Sequence, residues 1–218
     1  MNILIVSAAE VEISPLLGFL KMKFSDSGKL QKCVYKNINI DVLITGIGMS
    51  VTAFHLGKIL SGKYNAALNF GIAGSFNLDL EIGSVVNITQ DHFAELGAED
   101  GNNFLSLKEI GLNGISEVIN ESLINNEVLD MIPKVCGITV NKIHGNEENI
   151  ETVFQRFHPN TESMEGAAFL MACAEEKIPC AQVRAVSNFV ERRNKGAWDI
   201  SLAVENLNAK AVEILNAF

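Results

Sequence analysis

Two short strings of this chain hold side chains that are costly to place unless something meets them. In Glu162-Ser163-Met164-Glu165-Gly166-Ala167-Ala168 a carboxylate stands beside a thioether where an apolar helix is expected to begin. The neighbours of Glu165 are too small and apolar for an exposed acidic face. Its carboxylate therefore needs hydrogen-bond partners, which paired sugar hydroxyls would supply. Met164 fits either a sugar face or the core, because Met fills irregular gaps freely. In the second string, residues 183–200, Arg184 and Ser187-Asn188 lead from an apolar strand into a polar loop that carries Trp198. A guanidinium on such a strand is expensive unless it meets a carboxylate or an anion, so Arg184 is expected to pair with Glu12 or Glu165 or to hold a water. Together the two strings suggest a site for a ribose and its base.

Other candidates carry less on their own. Glu10 and Glu12 lie just after the first apolar run, and a lone acid there reads most simply as solvated or as favourable near a helix N-terminus. Gly71-Ile72-Ala73-Gly74-Ser75 follows an apolar run and is expected to form a small-residue loop that lets a ligand approach the backbone, through Ala73 and Gly74 above all. Gly46-Ile47-Gly48 lacks the third glycine and the acidic partner of a dinucleotide fingerprint, so it reads as a turn into a helix. His92, His144 and His158 show no metal spacing and read as loop or core histidines, so no metal site is expected. The charges at Lys21 to Lys29 and at Arg192 to Lys195 read as solvated, although the second group could grip an acidic substrate. Phe104, Phe189 and Trp198 are further apolar candidates for one end of a ligand.

These residues need a scaffold, and the pattern of the chain predicts one. Residues 2–6, 66–70, 85–89, 135–143 and 180–187 read as strands, and 31–36 with 40–45 as a hairpin turning at Asn37-Ile38-Asn39. Ser14-Pro15 supplies a cap and a first-turn proline ahead of Leu16, Leu17, Phe19 and Leu20, which leaves residues 7–13 as a loop. Further helices are expected at about 51–60, 165–176 and 200–217. Residues 95–115, polar and Gly-rich, read as a surface excursion. Apolar strands alternating with helices predict an α/β domain over residues 1–218, with a mostly parallel, mixed central sheet covered by helices. Sheets of this kind bind ligands at the carboxyl ends of their strands, where Glu12, residues 71–75, Asn146 with Glu147 and Arg184 to Asn188 are expected to converge.

Composition narrows the function classes. The 218 residues, 48% hydrophobic and 20% charged, suit one ordered core. A net charge of -9 argues against a phosphate-backbone partner, so no nucleic acid is expected. Cys33, Cys136, Cys173 and Cys180 lack metal-type pairing and read as reduced thiols. No apolar run approaches the roughly 20 residues that span a bilayer, and no signal peptide is legible, so a soluble, cytoplasmic protein is expected.

The motifs Ala8-Ala9-Glu10-Val11-Glu12, Gly71-Ile72-Ala73-Gly74, Ser163-Met164-Glu165-Gly166-Ala167-Ala168 and residues 183–194 resemble the purine nucleoside phosphorylase-like superfamily and, within it, the futalosine hydrolases. The resemblance covers essentially the whole chain. It implies hydrolysis of an N-glycosidic bond through an oxocarbenium-like transition state, with water as nucleophile, no cofactor, and a small nucleoside as the only ligand. By the same resemblance Glu12 would position and deprotonate the water, Arg184 would orient it, Glu165 would hold the ribose 2′- and 3′-hydroxyls, and Met164 would pack on the sugar. A homodimer or higher homo-oligomer is implied as well.

Three departures from relatives within the superfamily carry information. Adenine-releasing relatives have an aspartate where this chain has Asn188. An amide presents two donor hydrogens to the O6 and N7 acceptors of a 6-oxopurine, whereas a carboxylate would oppose lone pair to lone pair. Ile72 replaces a serine found in the adenine-releasing relatives. Phe70 stands where phosphorolytic relatives carry an arginine, which makes phosphate an unexpected nucleophile.

Overall fold

The structure, a computed structural model, describes residues 1–22, 29–101, 103–122 and 124–218. The opening apolar run forms β1 (Asn2–Ser7). With no polar face to turn to water, this strand lies inside the sheet, paired on both edges. It runs parallel to both β3 (Ile38–Ile44) and β4 (Ala66–Ser75). β2 (Leu30–Tyr35) folds back antiparallel on β3 at the edge. On the far side of β4 come β11 (Cys180–Phe189), parallel to it, then β5 (Val85–Phe93), β9 (Lys134–Thr139) and β10 (Thr161–Ser163). Because β10 pairs with β9 on one side and with β4 on the other, strands β4, β11, β5, β9 and β10 close into a ring.

Helices cover the two faces of the sheet. On one, α1 (Glu10–Phe19) and α6 (Ile200–Asn216) place Ile13, Leu16, Leu207 and Ile214 against Ile5, Phe70 and Val183. On the other, α2 (Met49–Ile59) and α5 (Gly166–Glu175) set Leu56, Phe169 and Leu170 on Leu4, Val6 and Ala67. Each such side chain taken out of water contributes about 1.5–3 kcal/mol, so the site rests on a rigid floor.

The predicted α/β sandwich is present, and the differences from expectation lie where the site is built. Residues 71–75 are not a loop: β4 continues through them, because β10 and β11 flank it there and supply its hydrogen bonds. Residues 7–13 are not all loop either. Glu10 to Glu12 form a helical turn, and the helix breaks at Ile13 (φ -122°, ψ 16°) before resuming at the expected Ser14-Pro15. The hairpin turns at Lys36-Asn37 and not around Ile38, which already belongs to β3. β9 stops at Thr139, short of the expected 143. The excursion at 95–115 contains a small hairpin, β6 (Gly97–Asp100) with β7 (Asn103–Ser106). Short elements β8 (Glu117–Ile119) and α3 (Glu127–Met131), and the amphipathic α4 (Glu147–Phe157), were not foreseen. The solvated run expected at Lys21 to Lys29 falls mostly outside the described residues. Lys29 itself is engaged, its Nζ donating to the Thr45 carbonyl at 2.9 Å. All four cysteines are free thiols.

Candidate active site

The break in α1 fixes the first acid of the site. A continuous helix would bond the Leu16 N–H to the Glu12 carbonyl, and at the kink this bond is lost. Asn208 of α6, 3% exposed, takes its place: Leu16 N donates to Asn208 Oδ1 at 3.0 Å, and Asn208 Nδ2 donates to the Glu12 carbonyl at 2.8 Å. Insertion of a side chain into the helical ladder is a known cause of such kinks. The Glu12 carboxylate is then held by three donors: Ser7 Oγ at 2.9 Å and Ala9 N at 3.0 Å to Oε2, and Ile72 N at 3.1 Å to Oε1. A carboxylate offers about four acceptor positions, so roughly one stays open.

Arg184 stands behind this acid. A Cβ added to Gly71 would lie 3.1 Å from Glu12 Oε1 and 3.2 Å from Arg184 Nη1, so carboxylate and guanidinium converge over a residue that must lack a side chain. Of the alternatives expected for Arg184, the ion pair with an acid is not made. Among the described residues no salt bridge joins Arg184 to Glu12 or Glu165. Its Nη2 donates to Asn69 Oδ1 at 2.5 Å and its Nη1 to the Val183 carbonyl at 3.3 Å, while Nε is buried without a partner among the described residues. Burial pulls the guanidinium below the ordinary arginine value, opposed by the charges of Glu165, Glu12 and Asp91.

Glu165 occupies the N-cap position of α5, and its Oε1 accepts the Gly48 N–H at 2.8 Å. Gly48 presents that N–H from φ +106°, a conformation in which a side chain would be strained. Burial pushes the Glu165 carboxyl above its ordinary value, and the nearby Arg184 charge is the largest opposing effect. Beneath the start of α5 runs a buried relay. Ala167 N donates to Thr139 Oγ1 at 2.8 Å, Thr139 Oγ1 to Asp91 Oδ1 at 2.9 Å, and Gln182 Nε2 to Asp91 Oδ2 at 2.9 Å. Burial pushes Asp91 up to about 6 despite these bonds.

At the other end, β11 carries a bulge: Val186 pairs with Ala73 and Asn188 with Gly74, leaving Ser187 as the extra residue. Ser187 Oγ donates to Asn188 Oδ1 at 2.8 Å, and Asn188 Nδ2 donates to the Phe189 carbonyl at 2.9 Å. Among the described residues one amide hydrogen therefore remains free, not the two expected. Gly74 lets the amide lie close, since a Cβ there would stand 3.2 Å from Asn188 Nδ2.

These elements enclose one cavity of about 400 Å³. Six of the seven expected site residues line it, namely Glu12, Ala73, Gly74, Met164, Glu165 and Asn188, whereas Arg184, 1% exposed, lies in the wall behind. Phe189, Trp198 and Arg193 also line it, with the Arg193 guanidinium 5.7 Å from the Trp198 ring. Phe104 does not, because it packs under Arg156 at 3.9 Å. Arg192 faces an adjoining open depression of about 570 Å³ together with Glu147. Asn146 caps α4, accepting from Asn149 N at 3.0 Å, and is not among the cavity residues.

Among the lining residues that were not anticipated, two polar ones form a pair. Glu162 accepts from the His144 backbone N–H at 3.0 Å and pairs with His144 Nδ1 through its other oxygen. Glu162 stands at the margin of the first string, but its partner is 18 residues away, on the far side of α4, and no local signal links the two. His144 is thus a cavity residue, not a plain loop or core histidine.

A fold of this layout, with its cavity at the ends of β4, β10 and β11, defines a class. The profile of the phosphorylase superfamily matches residues 2–218, and the chain belongs to that superfamily. Among its relatives, a futalosine hydrolase of Acidothermus cellulolyticus is 28% identical over 175 residues, covering 77% of this chain and 71% of its own. An aminodeoxyfutalosine nucleosidase of Campylobacter jejuni is 29% identical over 208 residues, 86% of either chain. The native structure of a Helicobacter pylori futalosine hydrolase superposes with a TM-score of 0.84 at 18% identity, covering 100% of this chain and 98% of that one. A methylthioadenosine/adenosylhomocysteine nucleosidase of the same organism superposes equally well, with a TM-score of 0.85 at 20% identity over 100% and 99%. The structural likeness fixes the fold and leaves the choice of base to the site.

Proposed function

We propose that this chain is a nucleosidase that hydrolyses the N-glycosidic bond of futalosine, releasing hypoxanthine and dehypoxanthine futalosine on the route to menaquinone. The observation that carries the reading is the distribution of polar groups along one cavity: two carboxylates, Glu12 and Glu165, at one end and an amide, Asn188, at the other. The relatives named above support cleavage of this class of bond.

In this reading the ribose lies over Met164, and its paired hydroxyls donate to the acceptor positions of the Glu165 carboxylate that Gly48 leaves open. The last open acceptor position of Glu12 receives a water, which Glu12 aims at C1′ and deprotonates as the bond to the base breaks. Arg184 acts from behind, holding the field around both acids without touching the sugar. As positive charge grows on the ribosyl ring, both carboxylates favour the transition state over the ground state. The free hydrogen of Asn188 Nδ2 meets an acceptor of the 6-oxopurine, an edge that an aspartate could not serve. Trp198, Phe189 and Arg193 then suit the carboxyphenyl end of the substrate. A second copy of the chain would cover Val11 and Ile47, cavity residues that are 65% and 67% exposed, so a homodimer or higher homo-oligomer belongs to the reading.

The test is to incubate the purified protein with futalosine, inosine and methylthioadenosine in phosphate-free buffer and to identify the released base. Hypoxanthine from futalosine is expected. Adenine from methylthioadenosine with futalosine untouched would overturn the substrate assignment, and turnover that requires phosphate would overturn the hydrolytic one.

A further inference from the structure

A 6-oxopurine leaving from a sugar has to be relieved of negative charge, and Asn188 has no proton to give. Its amide can offer one hydrogen bond, because the other hydrogen is committed to the Phe189 carbonyl and Oδ1 faces Ser187. The sheet register shows what faces it. Gly74 pairs with Asn188 on β11 and with Glu162 on β10, so these two residues flank the same glycine. With neighbouring strands about 4.8 Å apart, their backbones stand within about 10 Å of each other, on either side of Gly74.

On the Glu162 side the group turned to the cavity is His144. Glu162 is 4% exposed at its side chain, and both its oxygens are taken by this one residue, through the backbone N–H and through Nδ1. That double grip fixes the ring and assigns Nδ1 as the donor to the carboxylate. Among the described residues Nε2 has no hydrogen-bond partner, and it is not among the buried orphan atoms, so it stays accessible on a residue that lines the cavity.

We propose that His144 donates a proton to the departing purine and that Glu162 is its positioning residue. The inference rests on the nucleosidase reading above. Before transfer the ring carries a proton on each nitrogen and forms an ion pair with Glu162. As the C1′–N9 bond breaks, its electron pair moves into the purine, the Nε2 proton passes to a ring nitrogen of the base, and the neutral ring keeps its Nδ1–H on Glu162. The attacking water gives its oxygen to C1′ and one proton to Glu12. Exchange with solvent returns that proton and reprotonates His144, so the sum is nucleoside plus water giving sugar plus base.

The experiment compares the wild type with His144→Gln, His144→Ala and Glu162→Gln on futalosine and on N7-methylated futalosine, whose base leaves neutral without being protonated. On futalosine, His144→Gln is expected to lower kcat by roughly 10²–10³-fold, the usual range for losing a general acid, with KM changed less than about threefold. Glu162→Gln gives a smaller loss in kcat. On the methylated substrate the loss for His144→Gln shrinks to less than about tenfold, and added imidazole restores activity on futalosine to His144→Ala. Equal losses on both substrates, or full activity of His144→Gln on futalosine, would overturn the proposal while leaving the nucleosidase reading in place. Absence of base release by the wild type would remove both.

Discussion

Asn208 carries a test that joins fold to chemistry. Replacing it with leucine keeps the heavy-atom count and branching of a side chain that is 3% exposed, puts bulkier methyl groups in its place and deletes both bonds that bridge the kink in α1. The Leu16 N–H and the Glu12 carbonyl are then buried without partners. Leaving a buried polar group unpaired costs about 1–3 kcal/mol, so the two together predict a loss of roughly 2–5 kcal/mol, softened if the helix straightens to rejoin them. For a chain of this length each kcal/mol moves the melting temperature by about 2–4 °C, which puts Asn208→Leu on the order of 5–15 °C below the wild type. Straightening has a functional price, since it turns the helical turn that holds Glu12 against Ser7, Ala9 and Ile72. Base release should therefore fall by tenfold or more, because a displacement of about 1 Å from the productive geometry can cost about 100-fold. Thermal unfolding by circular dichroism and initial rates of base release, measured on the same preparation below the melting transition, read both effects. A variant that melts with the wild type and keeps its rate would refute the idea that Asn208 shapes the site.

Three further substitutions follow from the same geometry. Asp91, fully buried, is raised from 3.8 to about 6, so its ionised form is penalised in the folded state. The stability it contributes is full below pH 3.8 and is lost as pH rises through about 6, a change on the order of 3 kcal/mol. Asp91→Asn removes that loss, and its amide can donate to Gln182 Oε1 once the Gln182 amide turns over, which keeps the bond between the two side chains. Urea unfolding should show the variant gaining on the wild type by about 2–3 kcal/mol between pH 4 and pH 7.5, whereas a difference that stays constant with pH would contradict the assignment. Glu12→Gln should abolish turnover with ligand affinity largely kept, checked by calorimetry with substrate; retained turnover would remove Glu12 from its role. Asn188→Asp should lower kcat/KM on the oxopurine nucleoside by about 100-fold, and equal activity in the two proteins would show that the amide does not read the base.

Much of this site is legible in the chain because its signals are local. Met164-Glu165 ahead of small residues, and Arg184 four residues before Asn188, declare themselves within a few positions. The scaffold follows from apolar strands alternating with helices. What stays hidden depends on distant pairs: Asn208 with Glu12 across 196 positions, Gln182 with Asp91 across 91, and Glu162 with His144 across 18. No period or motif links such partners, because they meet only once the sheet has closed. Residues 71–75 mislead for a different reason. Glycines weaken a strand in isolation, but here flanking strands hold the backbone extended while Gly71 and Gly74 leave room for Glu12, Arg184 and Asn188.

The most direct measurement is a crystal structure of Glu12→Gln with intact futalosine bound. The account predicts the oxopurine over Gly74 with Asn188 Nδ2 in hydrogen-bond contact with its O6 or N7, the ribose hydroxyls on Glu165, and a water between residue 12 and C1′. A base bound away from Asn188, or a sugar whose hydroxyls never meet Glu165, would contradict it.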